Sequence, residues 1–216
     1  MSQIEILKIV ATVFAIAIAV IGHEIMHGYI AYKYGDNTAK SMGRLSINPI
    51  VHIDLVGTIL LPAILYITNA PFLFGWAKPV PVNIDTVIRN GGYKAAIAVA
   101  LAGITYNLIL AIFASTLYPL VANPNSLFSA FIAIFLVQSI IINVVLAVFN
   151  LWPIPPLDGS MALRYLAQKL NWRNFVIWYE KIYPYGMLIL FAILFIPQLT
   201  NLLFTPARWI LDTLLP

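Results

Sequence analysis

Two histidines that flank a glutamate near the end of the first apolar segment are the residues best suited to do chemistry. They lie in the run His23-Glu24-Ile25-Met26-His27. Residues four apart on a helix are separated by one turn and about 40° of rotation, so both imidazoles can reach one metal ion. The glutamate lies beside the same face, where it can accept a proton from a water molecule on the metal. This pattern predicts a zinc site with hydrolytic chemistry.

The segment that carries this motif has the apolarity of a membrane span. Residues 9–21 contain no charge. Ionisable groups within a span are costly unless they bind an ion or each other, and they therefore indicate a functional site. A zinc hydrolase embedded in a bilayer is the leading hypothesis, and the simpler alternative is that the histidines only hydrogen-bond to their neighbours.

The composition limits the class of protein. Of 216 residues, 62% are hydrophobic and 9% are charged, whereas soluble domains have about 25% charged residues. We therefore expect an all-α polytopic membrane protein that forms a single domain over residues 1–216. The first segment is longer than a signal-peptide core and lacks a cleavage pattern, so we expect it to be retained. The absence of cysteine excludes thiolate ligands, and the twelve basic residues do not indicate nucleic acid, because basic residues in membrane proteins set topology.

The apolar runs predict about four to six transmembrane helices. We place spans at about 4–32, 93–118, 127–150 and 185–204, with amphipathic interfacial helices between 160 and 182. We expect the last span to be kinked or interrupted at Pro197. Residues 4–160 would form the core, and residues 161–216 would supply the C-terminal interfacial and membrane helices.

Two shorter segments have a different character. Residues 55–68 are short for a span and contain Gly57 and Pro62, so we expect a re-entrant segment. Alternation in residues 43–48 and alternate prolines in residues 74–82 predict a short β-hairpin or edge strand near the active site. The alternative for residues 74–82 is a structural loop that its prolines seal against pairing.

The basic residues support the re-entrant arrangement. It collects ten of the twelve on one face of the membrane, whereas a full span at 55–68 would divide them eight to four. We therefore expect the N-terminus outside and the basic face, with the active site, towards the cytoplasm. Asp158 and the end of the first span then lie on the same face.

A catalytic zinc site needs a third protein ligand besides His23 and His27. The candidates are Asp158, His52, Asp54 and Asp85. Asp158 is favoured, because it follows a proline-broken helix end on the same face as the two histidines; its alternative role is to cap the next helix. His52 is the second candidate, although a lone histidine is more often a hydrogen-bonded structural group or a neighbour of the site.

These residues together resemble the site-2 proteases, which are intramembrane zinc metalloproteases. The resemblance rests on His23–His27 combined with Asn150-Leu-Trp-Pro-Ile-Pro-Pro-Leu-Asp-Gly159. It extends to residues 48–54, 57–58 and 75–81, and it is closest to the compact bacterial branch without a PDZ domain. It covers about residues 20–160.

The resemblance implies roles for several residues. His23, His27 and Asp158 would bind one zinc ion per chain, Glu24 would be the general base, and Asn150 would help to hold the substrate backbone. Apart from the resemblance, Gly75 and Trp76 begin a segment that could accept an unwound substrate as an added strand, and His52 and Asn107 are candidates for positions near the site. The run Ala102–Asn107 lacks the family's usual Gly-Pro before Asn107, and Ser160 replaces a usual second glycine, which affects local packing rather than the ligands.

The implied function is hydrolysis of peptide bonds in unwound transmembrane segments of membrane proteins, in a multi-pass protein of a bacterial cell membrane. The partners would be a transmembrane substrate and the lipid bilayer, and the sequence does not define an oligomeric state. The main alternative is a membrane metal-binding protein or transporter that uses the same His and Asp cluster without proteolysis. A haem protein is disfavoured, because His23 and His27 on one helix face cannot be opposite axial ligands.

Overall fold

The computed structural model of the chain describes residues 2–70, 72 and 74–215, and the described residues form helices and loops without a strand. The helices are α1 (Gln3–Lys33), α2 (Thr38–Ser41), α3 (Leu61–Ile67), α4 (Ile84–Leu117), α5 (Leu127–Leu151), α6 (Asp158–Lys169), α7 (Arg173–Ile182), α8 (Gly186–Phe195) and α9 (Pro197–Leu214). A π-helical segment, Leu55–Leu60, leads directly into α3. Short 3₁₀ turns lie at Pro49–His52, Tyr118–Leu120 and Tyr183–Tyr185.

Four helical segments are long and apolar enough to cross a membrane. They are Gln3–Lys33, Ile84–Leu120, Leu127–Leu151 and Arg173–Phe195. The prediction of an all-α fold is confirmed, and the number of candidate spans among the described residues lies within the predicted range. These helices fit a multi-pass membrane protein.

Small residues on one face of α1 let it lie close to α4 and α5. Ala11, Ala15 and Ala19 are fully buried and spaced four apart, and His23 continues the same stripe. Small side chains allow helix backbones to approach closely, which is how helices associate where there is no water to drive them together. The helix begins with a capping box, in which Ser2 and Glu5 exchange side-chain to backbone hydrogen bonds.

The helix α4 runs antiparallel to α1 and is broken near its start. Gly92 has φ 66° and ψ −171°, which interrupts the helical backbone and which glycine tolerates better than other residues. The regular part of α4 therefore follows Gly92, in agreement with the predicted span at 93–118. His27 meets Val99 and His23 meets Asn107, so the two helices run in opposite directions.

The long connection between α1 and α4 begins and ends at one end of the bundle. The Asn83 backbone N–H donates to Asp36 Oδ2 over 2.7 Å, and Asn90 Nδ2 donates to the Tyr34 carbonyl over 2.7 Å. One full crossing between these points would place them at opposite ends, so the contacts support a connection without a net crossing. Entry of Leu55–Ile67 into the bilayer remains a prediction.

The predicted β-hairpin or edge strand is absent from the described residues. Residues 74–83 have no regular secondary structure, and residues 44–48 form a loop. The N–H of Trp76 donates to the Gly57 carbonyl, and that of Lys78 donates to the His52 carbonyl. Pro79 and Pro81 have no N–H, so a strand lying along their side of the segment would lack two hydrogen bonds of a regular ladder. The backbone is held by loops and helix ends instead.

The C-terminal third also differs from the prediction. Residues 173–195 form one continuous apolar helical segment rather than an interfacial helix followed by a span at 185–204. The break falls at Ile196, which has an extended backbone before Pro197. The last helix, α9, then packs on α5 through Ala207 and its neighbours. Proline ends the preceding helix because it restricts the residue before it.

Candidate metal centre

The two histidines of the first motif lie where α1 packs against α4. His23 is 7% exposed, and its ring lies at a centroid distance of 4.8 Å from that of His27. Space for the His23 ring depends on Gly103 of α4, because a Cβ atom at residue 103 would lie 2.5 Å from the ring. The tight packing of α1 on α4 therefore sets the position of the ring.

The loop between α5 and α6 brings Asp158 to the same place. The helix α5 ends at Leu151, and α6 begins at Asp158. The start of α6 lies directly against the end of α5. Gly159 permits this close approach, because a Cβ atom there would clash with the Leu151 carbonyl oxygen. Trp152 anchors the loop by donating its Nε1–H to the Leu203 carbonyl over 3.0 Å.

One carboxylate oxygen lies between the two imidazoles. Asp158 Oδ2 is 3.0 Å from His23 Nε2 and 3.3 Å from His27 Nε2. The three side chains each offer one ligand atom, and these atoms all lie within 4.8 Å of one another. Asp158 begins α6 but its side chain caps no helix N–H, so its carboxylate remains available to the two rings.

The Nδ1 atom of each ring, on the side away from Asp158, lies at hydrogen-bond distance from an acceptor. His23 Nδ1 lies 2.6 Å from Asn107 Oδ1, and His27 Nδ1 lies 2.7 Å from the Val99 carbonyl oxygen. A carbonyl oxygen only accepts, so each Nδ1 carries a proton, and in a neutral ring Nε2 would then present the lone pair that a metal needs. Both lone pairs are therefore available on the side of Asp158.

The donor set fits a zinc ion. Asp158 Oδ2 is buried and takes part in no well-aligned hydrogen bond, although both Nε2 atoms are near. Three side chains that can each donate an electron pair thus converge on one point. Two nitrogens and one carboxylate oxygen are ligands that zinc accepts, and a catalytic site has three protein ligands.

Glu24 is held by the segment that follows α3. Its Oε2 accepts the Val80 backbone N–H over 2.9 Å. The N–H groups of Trp76, Lys78 and Val80 thus all point towards the protein. Glu24, the candidate base, is therefore hydrogen-bonded to the segment that the sequence predicts to receive substrate.

The other candidate ligands lie outside this cluster. His52 Nε2 contacts the Ser46 carbonyl over 2.8 Å, which is the structural role that the sequence offered as its alternative. Asp54 caps the π-helical segment through the N–H groups of Val56 and Gly57. Asp85 lies in the first turn of α4.

The predicted substrate-binding residues have local contacts. Asn150 Nδ2 donates to the Leu146 carbonyl within α5 over 3.0 Å. Gly75 lies against the Gly57 carbonyl, since a Cβ atom there would lie 2.6 Å from that oxygen, and the Trp76 ring covers Gly57. Their roles towards substrate remain predictions.

Three contacts of the centre were not predicted. The Val99 carbonyl and the Val80 N–H are backbone groups, so no side-chain pattern marks them. Asn143, which contacts Asn107 over 2.7 Å, did carry a signal. It is an amide within an apolar span, and such residues are costly unless they have a partner.

Two relatives match the chain. YwhC of Bacillus subtilis (strain 168), provisionally named a zinc metalloprotease, is 42% identical over 141 residues, which are 63% of this chain and 60% of YwhC. Rip2 of Mycolicibacterium smegmatis (strain ATCC 700084 / mc(2)155), which is also provisionally named a zinc metalloprotease, is 28% identical over 200 residues, which are 88% of this chain and 68% of Rip2. No protein-family model and no solved structure matches the chain significantly.

The alignment with YwhC thus spans about three fifths of the length of that relative. Both relatives have names that specify zinc and proteolysis, and this chain brings two histidines and an aspartate together in a cluster that could hold a metal. The alternative of a transporter is not favoured by either name. The chain is thus similar to two proteins named as zinc metalloproteases, and its two linked motifs resemble those of the site-2 proteases.

Proposed function

We propose that this protein is an intramembrane zinc endopeptidase that hydrolyses peptide bonds in unwound transmembrane segments of membrane proteins. The observation that carries the proposal is the convergence of His23, His27 and Asp158 beside Glu24 on α1. Among the described residues, four helical segments are able to cross a membrane, and His23 and His27 lie on the first of them. The names of the two relatives support zinc and proteolysis.

One zinc ion per chain would be held by His23, His27 and Asp158. When bound, zinc lowers the pKa of water and polarises a carbonyl group. The Asp158 carboxylate supplies the single negative charge of the ligand set, and the two neutral imidazoles supply the nitrogens. Three protein ligands leave a position for the reacting groups.

Glu24 would act as the general base and then as the general acid. Its carboxylate accepts the proton of the attacking water and later returns it to the leaving amine. The Val80 N–H that it accepts restricts the orientation of the carboxylate while leaving the other oxygen, Oε1, for the proton. One oxygen of Glu24 would thus hold the side chain in place while the other accepts the proton.

A transmembrane helix must unwind before its peptide bond can be reached, because all its amides are bonded internally. Residues 76–80 turn alternate N–H groups towards the protein. In such a segment the Ala77 N–H and the carbonyls of Ala77 and Pro79 would point away, which offers one donor and two acceptors on that side. An unwound substrate could restore its lost backbone hydrogen bonds there by lying alongside the segment.

The proposed setting is a bacterial cell membrane, with the N-terminus outside and the active site towards the cytoplasm. Both relatives come from bacteria. The excess of basic residues on the face that carries α6 and the connection between α1 and α4 supports this orientation. The partners would be the bilayer and single-span membrane proteins.

Two measurements on matched variants test the activity. Wild type, Glu24→Gln and Glu5→Gln are purified, and each is analysed for zinc and for cleavage of liposome-embedded reporter proteins whose single span contains a Gly-Pro pair. Glu5 provides the control, because it lies on the same helix far from the cluster. We expect zinc in all three proteins, and cleavage within the span by wild type and Glu5→Gln only. Equal cleavage by Glu24→Gln, or no zinc in wild type, would contradict the proposal.

The docking of substrate can be tested by disulfide trapping, because the chain has no cysteine. Single cysteines at Ala77 and Pro79 in the Glu24→Gln background should form disulfides with a cysteine near the cleavage site of the reporter. A cysteine at Asn123, in the loop before α5, is the control and should form none. Equal trapping at all three positions would argue against the segment as the docking edge.

A further inference from the structure

Two asparagines are buried in the spans next to the metal centre. Asn107 of α4 and Asn143 of α5 are both 0% exposed. Burying an amide without hydrogen bonds is unfavourable, so both side chains need partners. The two amides bond to each other and reach His23, so they connect three helices through side chains.

Backbone carbonyls fix the direction of this chain of amides. Asn143 Nδ2 donates to the Ser139 carbonyl over 2.8 Å, so Asn143 Oδ1 is left to accept from Asn107 Nδ2 over 2.7 Å. Asn107 Nδ2 also donates to the Ala19 carbonyl over 3.2 Å. Carbonyl oxygens cannot donate, so Asn107 Oδ1 must be the atom that faces His23.

The direction of the chain determines the tautomer of His23. Asn107 Oδ1 can only accept, so His23 Nδ1, at 2.6 Å, must donate its proton. The lone pair is then on Nε2, which lies 3.0 Å from Asp158 Oδ2. A half-turn of the ring about its Cβ–Cγ bond would break this hydrogen bond and would turn Nε2 away from Asp158.

The two histidines are secured in different ways. A backbone carbonyl, that of Val99, holds His27, and it is present whatever the side chain at residue 99. The hydrogen bond of His23 Nδ1, in contrast, is made to a side chain, that of Asn107, and so depends on the residue at position 107. This difference makes the His23 side of the centre sensitive to substitutions two helices away.

We propose that Asn107 and Asn143 are positioning residues that transmit orientation from α5 through α4 to His23, and so fix the tautomer that binds zinc. The proposal rests on zinc binding at the proposed centre. It differs from a purely structural role, in which the amides would stabilise helix packing without affecting which nitrogen of His23 carries the proton. Outer partners of metal-binding histidines typically contribute about 10–100-fold in metal affinity.

The test compares variants of the full-length chain that keep or remove the acceptor. Asn107→Leu removes it, whereas Asn107→Asp keeps an oxygen for His23 and, when protonated, an O–H for Asn143. Asn143→Leu removes the outer member of the chain. Thr105→Val is the control, because Thr105 bonds only to the Leu101 carbonyl within α4 and is exposed. Zinc affinity is measured by competition with a chelator, and folding is checked by thermal denaturation.

A second measurement is independent of zinc. The chain has only three histidines, so ¹⁵N NMR of the metal-free, histidine-labelled protein can resolve each tautomer. We expect His23 to be protonated on Nδ1 in wild type, Thr105→Val and Asn107→Asp, and to populate both tautomers in Asn107→Leu. Zinc should bind about 10–100-fold more weakly to Asn107→Leu, less weakly to Asn143→Leu, and normally to Thr105→Val and Asn107→Asp.

The outcomes separate this inference from the proposed function. Wild-type zinc affinity and an unchanged His23 tautomer in Asn107→Leu would overturn the inference and leave the function intact. Equal loss of affinity in Asn107→Leu and Asn107→Asp, with equally lowered thermal stability, would assign the amides to packing and would also overturn it. If wild type binds no zinc, the proposed function fails, and the tautomer comparison still decides whether the amides position His23.

Discussion

Replacing Gly103 by alanine should damage the metal centre more than the fold. The added Cβ atom would lie 2.5 Å from His23 Cε1 and Nε2, whereas carbon atoms in contact are normally about 3.5–4.0 Å apart. The ring must therefore withdraw by about 1 Å. Metal–ligand distances tolerate only about 0.2 Å, so His23 would be lost as a ligand.

The magnitude of the two effects differs. Overpacking of a core costs about 1–3 kcal/mol, which a membrane protein of this size can absorb. The loss of a ligand should weaken zinc binding by at least about tenfold, which is the lower bound for disturbing only the outer partners of a ligand. The assay is chelator competition for zinc, together with the thermal midpoint of the purified protein.

A matched control is available on the same helix. A Cβ atom at Gly91 would lie 2.5 Å from Ala95 Cβ and near the Tyr34 ring, far from the ligand cluster. We expect Gly91→Ala to lower the thermal midpoint without changing zinc affinity. If Gly103→Ala binds zinc as tightly as wild type, the reasoning that places His23 against α4 is refuted.

Two further predictions concern the ligands and the topology. His27→Ala should abolish zinc binding at the centre, whereas His52→Ala should keep it, as measured by metal analysis; the reverse result would make His52 a ligand. Single cysteines at Asn37 and Asn83 should react with a membrane-impermeant thiol reagent only from the cytoplasmic side, and one at Asn123 only from outside. Labelling of Asn37 and Asn83 from opposite faces would show that residues 55–68 cross the membrane completely.

The parts of the site that depend on helix spacing could be predicted from the sequence. His23 and His27 share a face because residues four apart always do. Asp158 could be placed near them because three prolines end α5 and an exposed backbone must line a polar cavity. These inferences needed only local geometry and the cost of burying polar groups.

The parts that depend on backbone partners could not be predicted. The Val99 carbonyl and the Val80 N–H have no signature in the sequence, because every residue except proline has both groups. The predicted edge strand was wrong for a related reason. The N–H groups of Trp76 and Lys78 bond to the carbonyls of Gly57 and His52, which lie in helical turns, rather than to a second strand.

The helices after α6 were harder to delimit for a different reason. Aromatic and basic residues between 172 and 182 are typical of a membrane surface, and yet α7 continues into α8 through the turn at Tyr183–Tyr185. A proline at the start of a helical turn is tolerated, so Pro184 does not end the segment. Composition therefore predicted a separate interfacial helix, whereas in the structure α7 and α8 form one continuous helical segment.

The central claim is that one zinc ion is held by two imidazoles and one carboxylate. X-ray absorption at the zinc edge counts imidazole ligands directly, and the chain has no cysteine to contribute sulfur and only three histidines. The account predicts two imidazoles with the remaining ligands oxygen, falling to one imidazole in any zinc that His27→Ala retains. Three imidazoles, or two that persist in His27→Ala, would contradict it.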